Sequence, residues 1–183
     1  MRASISLETR FKDILEKKKS AILKRWFTVI AESYPEETAK FLRSQRDPFA
    51  NPVGRTIHKS TEDLFDELLT GPDHKNASAY LDPIIRIRAI QNFTPSSATE
   101  FIFSLKSVVR DVLRKDIHEP RLEQEMVDFE ARIDKLGLMA FDVYMKCKEK
   151  IYEIKANEFR NRFYSAFRRA GLISEVPGEP DLD

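Results

Sequence analysis

Cysteine is almost missing from this chain. Cys147 is the single one, so an intramolecular disulfide is excluded, and the usage fits a reducing, cytoplasmic setting. Glycine is scarce, five in 183 residues, which argues against a turn-rich β architecture. No apolar run approaches the roughly 18 residues of a membrane span. The opening MRASISLETRFKDILEKKKS lacks the apolar core of a secretory leader. Charge of one sign is also lacking: the formal net charge is +1, so the molecule as a whole has no long-range pull toward nucleic acid or an acidic membrane. There is no CxxC, no HExxH, no Gly-rich phosphate loop and no Ser–His–Asp arrangement among neighbouring residues. These absences leave a charged, soluble, helical protein without a visible catalytic motif. Its length is enough for one domain with a real core.

What is present is a long heptad. Between Leu122 and Ala170 there is no proline, and the apolar residues Leu122, Met126, Phe129, Ile133, Leu136, Ala140, Val143, Cys147, Ile151 and Ile154 fall at steps of four and three. That spacing predicts a helix from Pro120 to near Ala170 with one apolar seam. At 1.5 Å per residue it would be about 75 Å long. Either it kinks near Leu136–Gly137, or its C-terminal half packs on something outside the domain.

The rest reads as shorter helices around this one. Leu7, Phe11, Ile14, Leu15, Ile22, Trp26, Val29 and Ile30 share a face and predict a helix over 6–33. Pro35 opens a short helix to about Arg43. Asp47 before Pro48 and Asn51 before Pro52 are cap-plus-proline signals. The second opens a helix carrying Val53, Ile57, Leu64, Phe65 and Leu68, closed by Gly71-Pro72. Residues 73–79 read as a polar loop. Residues 77–91 are ambiguous between a short strand, IRIRAI, and a helix with Pro83 in its first turn, and helix is preferred. Thr94 as N-cap and Pro95 as N1 open a helix with Ala98, Phe101, Ile102, Leu105, Val108, Val109 and Val112 on one stripe, ending near Lys115. The expected fold is all-α, five to six helices around a long C-terminal helix. Residues 1–170 are expected to form a single domain, and 171–183 a disordered acidic tail.

Candidate chemistry is thin. Of His58, His74 and His118 only His58 falls on a clear helix, and Arg55 and Lys59 beside it mark an exposed face, so neither haem nor metal is expected. Cys147 reads first as a small buried hydrophobe. The other reading is a redox thiol served by Lys146 and Lys148. Arg86, Arg88, Gln91, Thr94 and Ser97, with Ser96 among them, place two guanidinium groups near a helix N-terminus and make a candidate anion site. The structural reading of the same residues has Thr94 and Ser97 capping the helix while the arginines pair with Asp142 or Glu149. Lys146–Arg169 is basic and carries Tyr152, Phe159, Phe163, Tyr164 and Phe167. A helix pairing with its own copy through Cys147, Ile151, Ile154, Phe159 and Phe163 explains it more simply than nucleic acid or a membrane surface.

Three blocks taken together, DPFANPVG (47–54), IRIRAIQNFTPSSATEFIFSLKSVVR (85–110) and AFDVYMKCKEKIYEIKANE (140–158), resemble the N-terminal domain of RsbT co-antagonist proteins of the RsbRD type. Lys148 stands where that family usually has Arg, and Ser97 where it often has Gln. The resemblance implies a helical regulatory input domain, globin-like without haem, that in full-length relatives precedes a STAS output domain. With the sequence ending at Asp183, the expectation is the sensor half alone: a cytoplasmic, non-enzymatic signalling protein, homodimeric, with a protein partner in its pathway and no cofactor. The alternative is a small-molecule or anion-binding module at Arg86, Arg88 and Thr94.

Overall fold

The computed structural model describes residues 2–44, 51–71 and 74–172. Asp47, Pro48, Pro72 and the acidic segment from 173 on lie outside them, as do the side chains of Leu7 and His74. Six helices follow one another: α1 (Arg2–Glu32), α2 (Glu36–Ser44), α3 (Pro52–Thr70), α4 (His74–Ile90), α5 (Pro95–Leu113) and α6 (Pro120–Arg169). There is no strand among the described residues. The protein is all-α with a long C-terminal helix, as the heptad and the scarcity of glycine imply. The chain divides into two units, one ending at Cys147 and one beginning at Lys148.

In the first unit α1 packs along α5, α3 along α4, and α1 also meets α2 and α3. The centre is Trp26, fully buried, whose indole Nε1 donates to the Phe101 carbonyl at 2.7 Å. The inner row of α6 closes this core. Leu122, Met126, Phe129, Ile133, Leu136, Ala140 and Val143 are all buried, and Phe129 meets Phe11 of α1 and Phe65 of α3 edge-on. The caps form as their residue types require. Asn51 Oδ1 accepts the Gly54 N–H at 2.8 Å to start α3. Gly71, at φ 103°, ends it with its N–H on the Glu67 carbonyl, a left-handed turn that glycine adopts without steric cost. Arg132 of α6 donates to the Leu68 carbonyl near that same helix end.

Two expectations need correction. Of the polar stretch 73–79 expected as a loop, residues 74–79 are helical, because α4 starts at His74, and residue 73 lies outside the described residues. Pro83 therefore lies inside the helix rather than in its first turn. A proline there removes one backbone donor. Packing outweighs that loss: Ala77, Leu81, Ile84 and Ile85 are all fully buried, and α4 lies along α3. Where the sequence left a kink near Gly137 open, α6 is helical throughout. Gly137 is buried under the ring of Phe103, which a Cβ at that position would strike.

Trp26→Ala should lose the largest packed side chain at the centre and cost about 3–5 kcal/mol. Urea denaturation followed by circular dichroism measures it, and a loss under about 1 kcal/mol, the ordinary effect of a point substitution, would place the core elsewhere.

Candidate functional site

The residues offered as an anion site do not form one cluster. Arg86 points outward on α4, with its guanidinium on Asp82 one turn back at 2.9–3.1 Å. Gln91 is exposed. Arg88, two residues on from Arg86, turns the other way and is fully buried. Its Nη1 donates to the Ser97 carbonyl at 2.8 Å and its Nη2 to the Ser33 hydroxyl at 2.7 Å. Three rings surround the guanidinium carbon: Phe101 at 4.8 Å, Phe93 at 5.0 Å and Tyr34 at 5.3 Å. Tyr144 of α6 adds a phenol that donates to the Phe93 carbonyl at 2.6 Å. Neither arginine takes Asp142 or Glu149 as its hydrogen-bond partner. Burial pushes the Arg88 pKa below its ordinary value, opposed by Tyr34 and Glu100. Tyr34 Oη lies near enough to favour the charge, yet Tyr34 Oη and Arg88 Nε make no hydrogen bond of good geometry. The pair is an electrostatic contact.

Thr94 caps α5: its Oγ1 accepts the Ser97 N–H at 3.2 Å. The same hydroxyl donates to Ser97 Oγ at 3.0 Å and shares a hydrogen with Ser96 Oγ at 3.1 Å. The helix start that an anion would use thus has a side-chain cap, and one of the two candidate cations sits behind it with partners of its own.

His58 lies on α3 with its imidazole stacked on Phe27 of α1, centroids 3.9 Å apart and planes 12° from parallel. It faces a recess of about 1130 Å³ between α1 and α3 lined by charges of both signs, among them Lys19, Arg55 and Lys59 with Glu16 and Glu62. Burial pushes its pKa down, with Glu62 partly opposing. No group of three or more His, Cys, Asp or Glu side chains that could hold a metal occurs among the described residues. Cys147 is half-buried and free. Its thiol pKa is raised, first by burial and then by Asp82, with Arg86 opposing. A reactive thiol needs the opposite shift.

What sequence reasoning missed is the depth of Arg88. The signal lay in its setting: the phase that buries Leu81, Ile84 and Ile85 also buries position 88 and leaves Ile90 64% exposed. In the second unit the pattern is the reverse, since Tyr152, Ile154, Phe159, Phe163, Tyr164 and Phe167 are all exposed. Phe159, Phe163 and Phe167 touch one another in a row, with centroids at 4.4 and 6.0 Å, and Lys148 lies over the Tyr152 ring.

The model of the RsbT co-antagonist protein RsbRD N-terminal domain matches residues 20–158. The chain belongs to this family. The match takes in every element from the middle of α1 to the first third of the second unit, including Arg88 and its enclosure. It assigns the chain to a signalling-related class of regulatory domains. Searches of curated proteins and of solved structures found no match. No helix among the described residues is long and apolar enough to cross a membrane.

The His58 shift gives a pH prediction. A histidine whose folded pKa lies below its unfolded value near 6.5 binds more protons when unfolded. Its contribution is therefore present above about pH 6.5 and lost as pH falls toward the folded pKa. The melting temperature should fall between about pH 7.5 and 5.5, a window set around that unfolded value, and His58→Gln should flatten that fall. An identical pH profile in the variant would mean that other groups carry it.

Proposed function

We propose that this chain is a non-enzymatic regulatory or sensor domain of bacterial signalling that acts through protein–protein contacts, and that its first partner is a second copy of itself. The observation that carries this is the surface of the second unit. Five large aromatic side chains at 42–63% exposure along one helix form an apolar surface of a kind monomeric proteins rarely leave in water. Pairing two such helices about a two-fold axis removes that surface with one kind of contact. Phe159 and Phe163 lie on that aromatic row, while Cys147, Ile151 and Ile154 continue the inner row of α6; both rows are proposed to contribute. The family assignment supports the regulatory reading and bears on the absence of a catalytic motif. The domain would sit in the cytoplasm and pass its signal to a further protein.

Light scattering on the intact protein should give about twice the chain mass of 21.3 kDa. Ile151→Glu combined with Phe159→Glu should shift it to the monomer while the helical circular dichroism persists. A monomeric wild type at tens of micromolar would end the self-pairing reading.

A second reading, an anion-binding module built on Arg88 and the α5 start at Thr94 and Ser97, without Arg86 and Gln91, draws on one observation: the hydrogen bonds of buried Arg88 go to a carbonyl and a hydroxyl rather than to a carboxylate. Under the first reading Thr94→Ala costs about 1 kcal/mol as a lost N-cap and leaves the thermal response to inorganic sulfate unchanged. Unchanged stability together with a lost sulfate response would favour the second.

A further inference from the structure

The recess between α1 and α3 has two kinds of wall. One is flat and apolar. Leu23 and Phe27 of α1 and Leu42 of α2 line it, and the His58 imidazole covers Phe27 with centroids 3.9 Å apart and planes 12° from parallel. His58 is itself exposed, so it presents a ring to the recess. Burial holds its pKa below the ordinary value, so that ring is uncharged at neutral pH. The other wall is charged, and its charges are not all matched. Glu16 has Lys12 at 3.9 Å, Lys19 has Asp66 at 2.6 Å and Glu62 at 3.7 Å, Arg43 has Glu32 at 3.1 Å, and Lys59 has Asp63 at 2.7 Å. Of the charged side chains lining the recess, Lys24 and Arg55 alone have no ion-pair or hydrogen-bond partner among the described residues. Their placement is regular. The two helices run antiparallel here, since Lys19 meets Asp66 and Glu62 whereas Phe27 meets His58. Lys24 stands three residues before Phe27, and Arg55 three residues before His58. On antiparallel helices the two cations therefore fall on opposite sides of the ring stack, each about 4.5 Å along its helix axis.

We propose that this recess binds a small aromatic carboxylate, its ring on the His58–Phe27 stack and its carboxylate on Arg55. The proposal goes beyond the self-pairing reading and does not depend on it: it gives a sensor domain the chemical class of its input. The ring is the first argument. An aromatic ligand laid on a stacked pair gains more than its buried area alone, because offset rings attract through their quadrupoles. The cation is the second. A guanidinium without a partner takes a carboxylate through two parallel N–H···O bonds, a fit that a lysine ammonium does not offer. Lys24, on the far side of the stack, adds a second positive charge. Charge balance is the third. Two unmatched cations suit an acid with one or two carboxylates, whereas a polyphosphate would meet Glu16 and Glu62 with more negative charge than they balance. Size agrees: the recess, about 1130 Å³, is a little above the roughly 300–1,000 Å³ of small-molecule sites, so acids of one or two rings have room.

The test titrates the full chain with benzoate and with indole-3-acetate at neutral pH, read by calorimetry. At least one of them should saturate a single site per chain. Cyclohexanecarboxylate, of equal charge but without a flat ring, and benzamide, with the ring but no charge, should bind at least tenfold more weakly. Arg55→Gln should weaken the aromatic acid at least tenfold, and His58→Gln should erase its advantage over cyclohexanecarboxylate. Both side chains are exposed, so both variants should keep the wild-type helical circular dichroism. Lys115→Gln, which removes an exposed cation outside the recess, should bind as the wild type does. The proposal is overturned if neither acid binds saturably, if cyclohexanecarboxylate binds as tightly as the aromatic acids, or if either recess variant leaves binding unchanged. None of these results bears on the oligomeric state, so the self-pairing reading stands or falls separately.

Discussion

Arg88 is a charge without water, and three helix ends are arranged around it. Burying a guanidinium costs several kcal/mol even after relaxation, so every favourable contact near it matters. The end of α1 supplies the Ser33 hydroxyl, with Tyr34 just beyond. The start of α5 supplies the Ser97 carbonyl and, one turn later, Phe101. The turn between α4 and α5 supplies Phe93. Charge-assisted hydrogen bonds are worth about 1.5–3 kcal/mol each, and a desolvated cation over an aromatic face about 2 kcal/mol. Together these are of the size needed to offset the burial. None of them exists unless α1, α4 and α5 end or begin where they do. The enclosure therefore fixes helix boundaries as well as stabilising them, and Tyr144, through the Phe93 carbonyl, ties α6 to it.

The same enclosure gives a physical account of the block IRIRAIQNFTPSSATEF. Arg88, Phe93, Thr94, Ser97 and Phe101 all belong to it, and each has a part in the enclosure. Arg88 brings the charge and Phe93 a ring wall; Thr94 is the cap, Ser97 offers a carbonyl acceptor, and Phe101 is a second ring. Asn92 supports the tight turn between them with a φ of 61°, a left-handed conformation that asparagine tolerates better than most residues. Thr94, Ser97 and both Nη groups of Arg88 are committed to this junction. That is why the two readings of the block, a structural junction and an anion site, compete for the same groups.

The legible parts of the fold were those that periodicity and cap chemistry control locally. The inner row of α6, the stripe of α5 and the Asn51 and Thr94 caps could be read because each depends on residues within a few turns. The start of α4 could not. Its first turns are polar and Pro83 speaks against an early start, and only the long packing of α4 on α3 makes the helix worthwhile. Burial of Arg88 was hidden for a related reason. Composition marks arginine as a surface residue, and the rings that accept it come from α1, the α4–α5 turn and α5, up to 54 positions away between Arg88 and Tyr34. The alternation of IRIRAI, open to a strand reading, is a helix with Arg88 inward and Arg86 outward.

The seam of α6 shows how a correct pattern can point to an incomplete surface. Following the inner row past Cys147 leads to Ile151 and Ile154, and from there an interface in the second unit is the natural continuation. The exposed aromatic residues do not keep that phase. In sequence spacing Tyr152, Ala156, Phe159 and Phe163 follow Leu138, Phe141, Met145 and Lys148 at steps of three and four, a row roughly 150° around the helix from the buried one at about 100° per residue. A helix needs one apolar row to join its own domain. A second row in another phase has no use inside that domain, and its partly exposed apolar side chains leave area in water that burial would recover at about 25 cal/mol per Å². Selection for a single soluble fold gives no reason to keep that row apolar, whereas a contact made by this helix outside its own chain does.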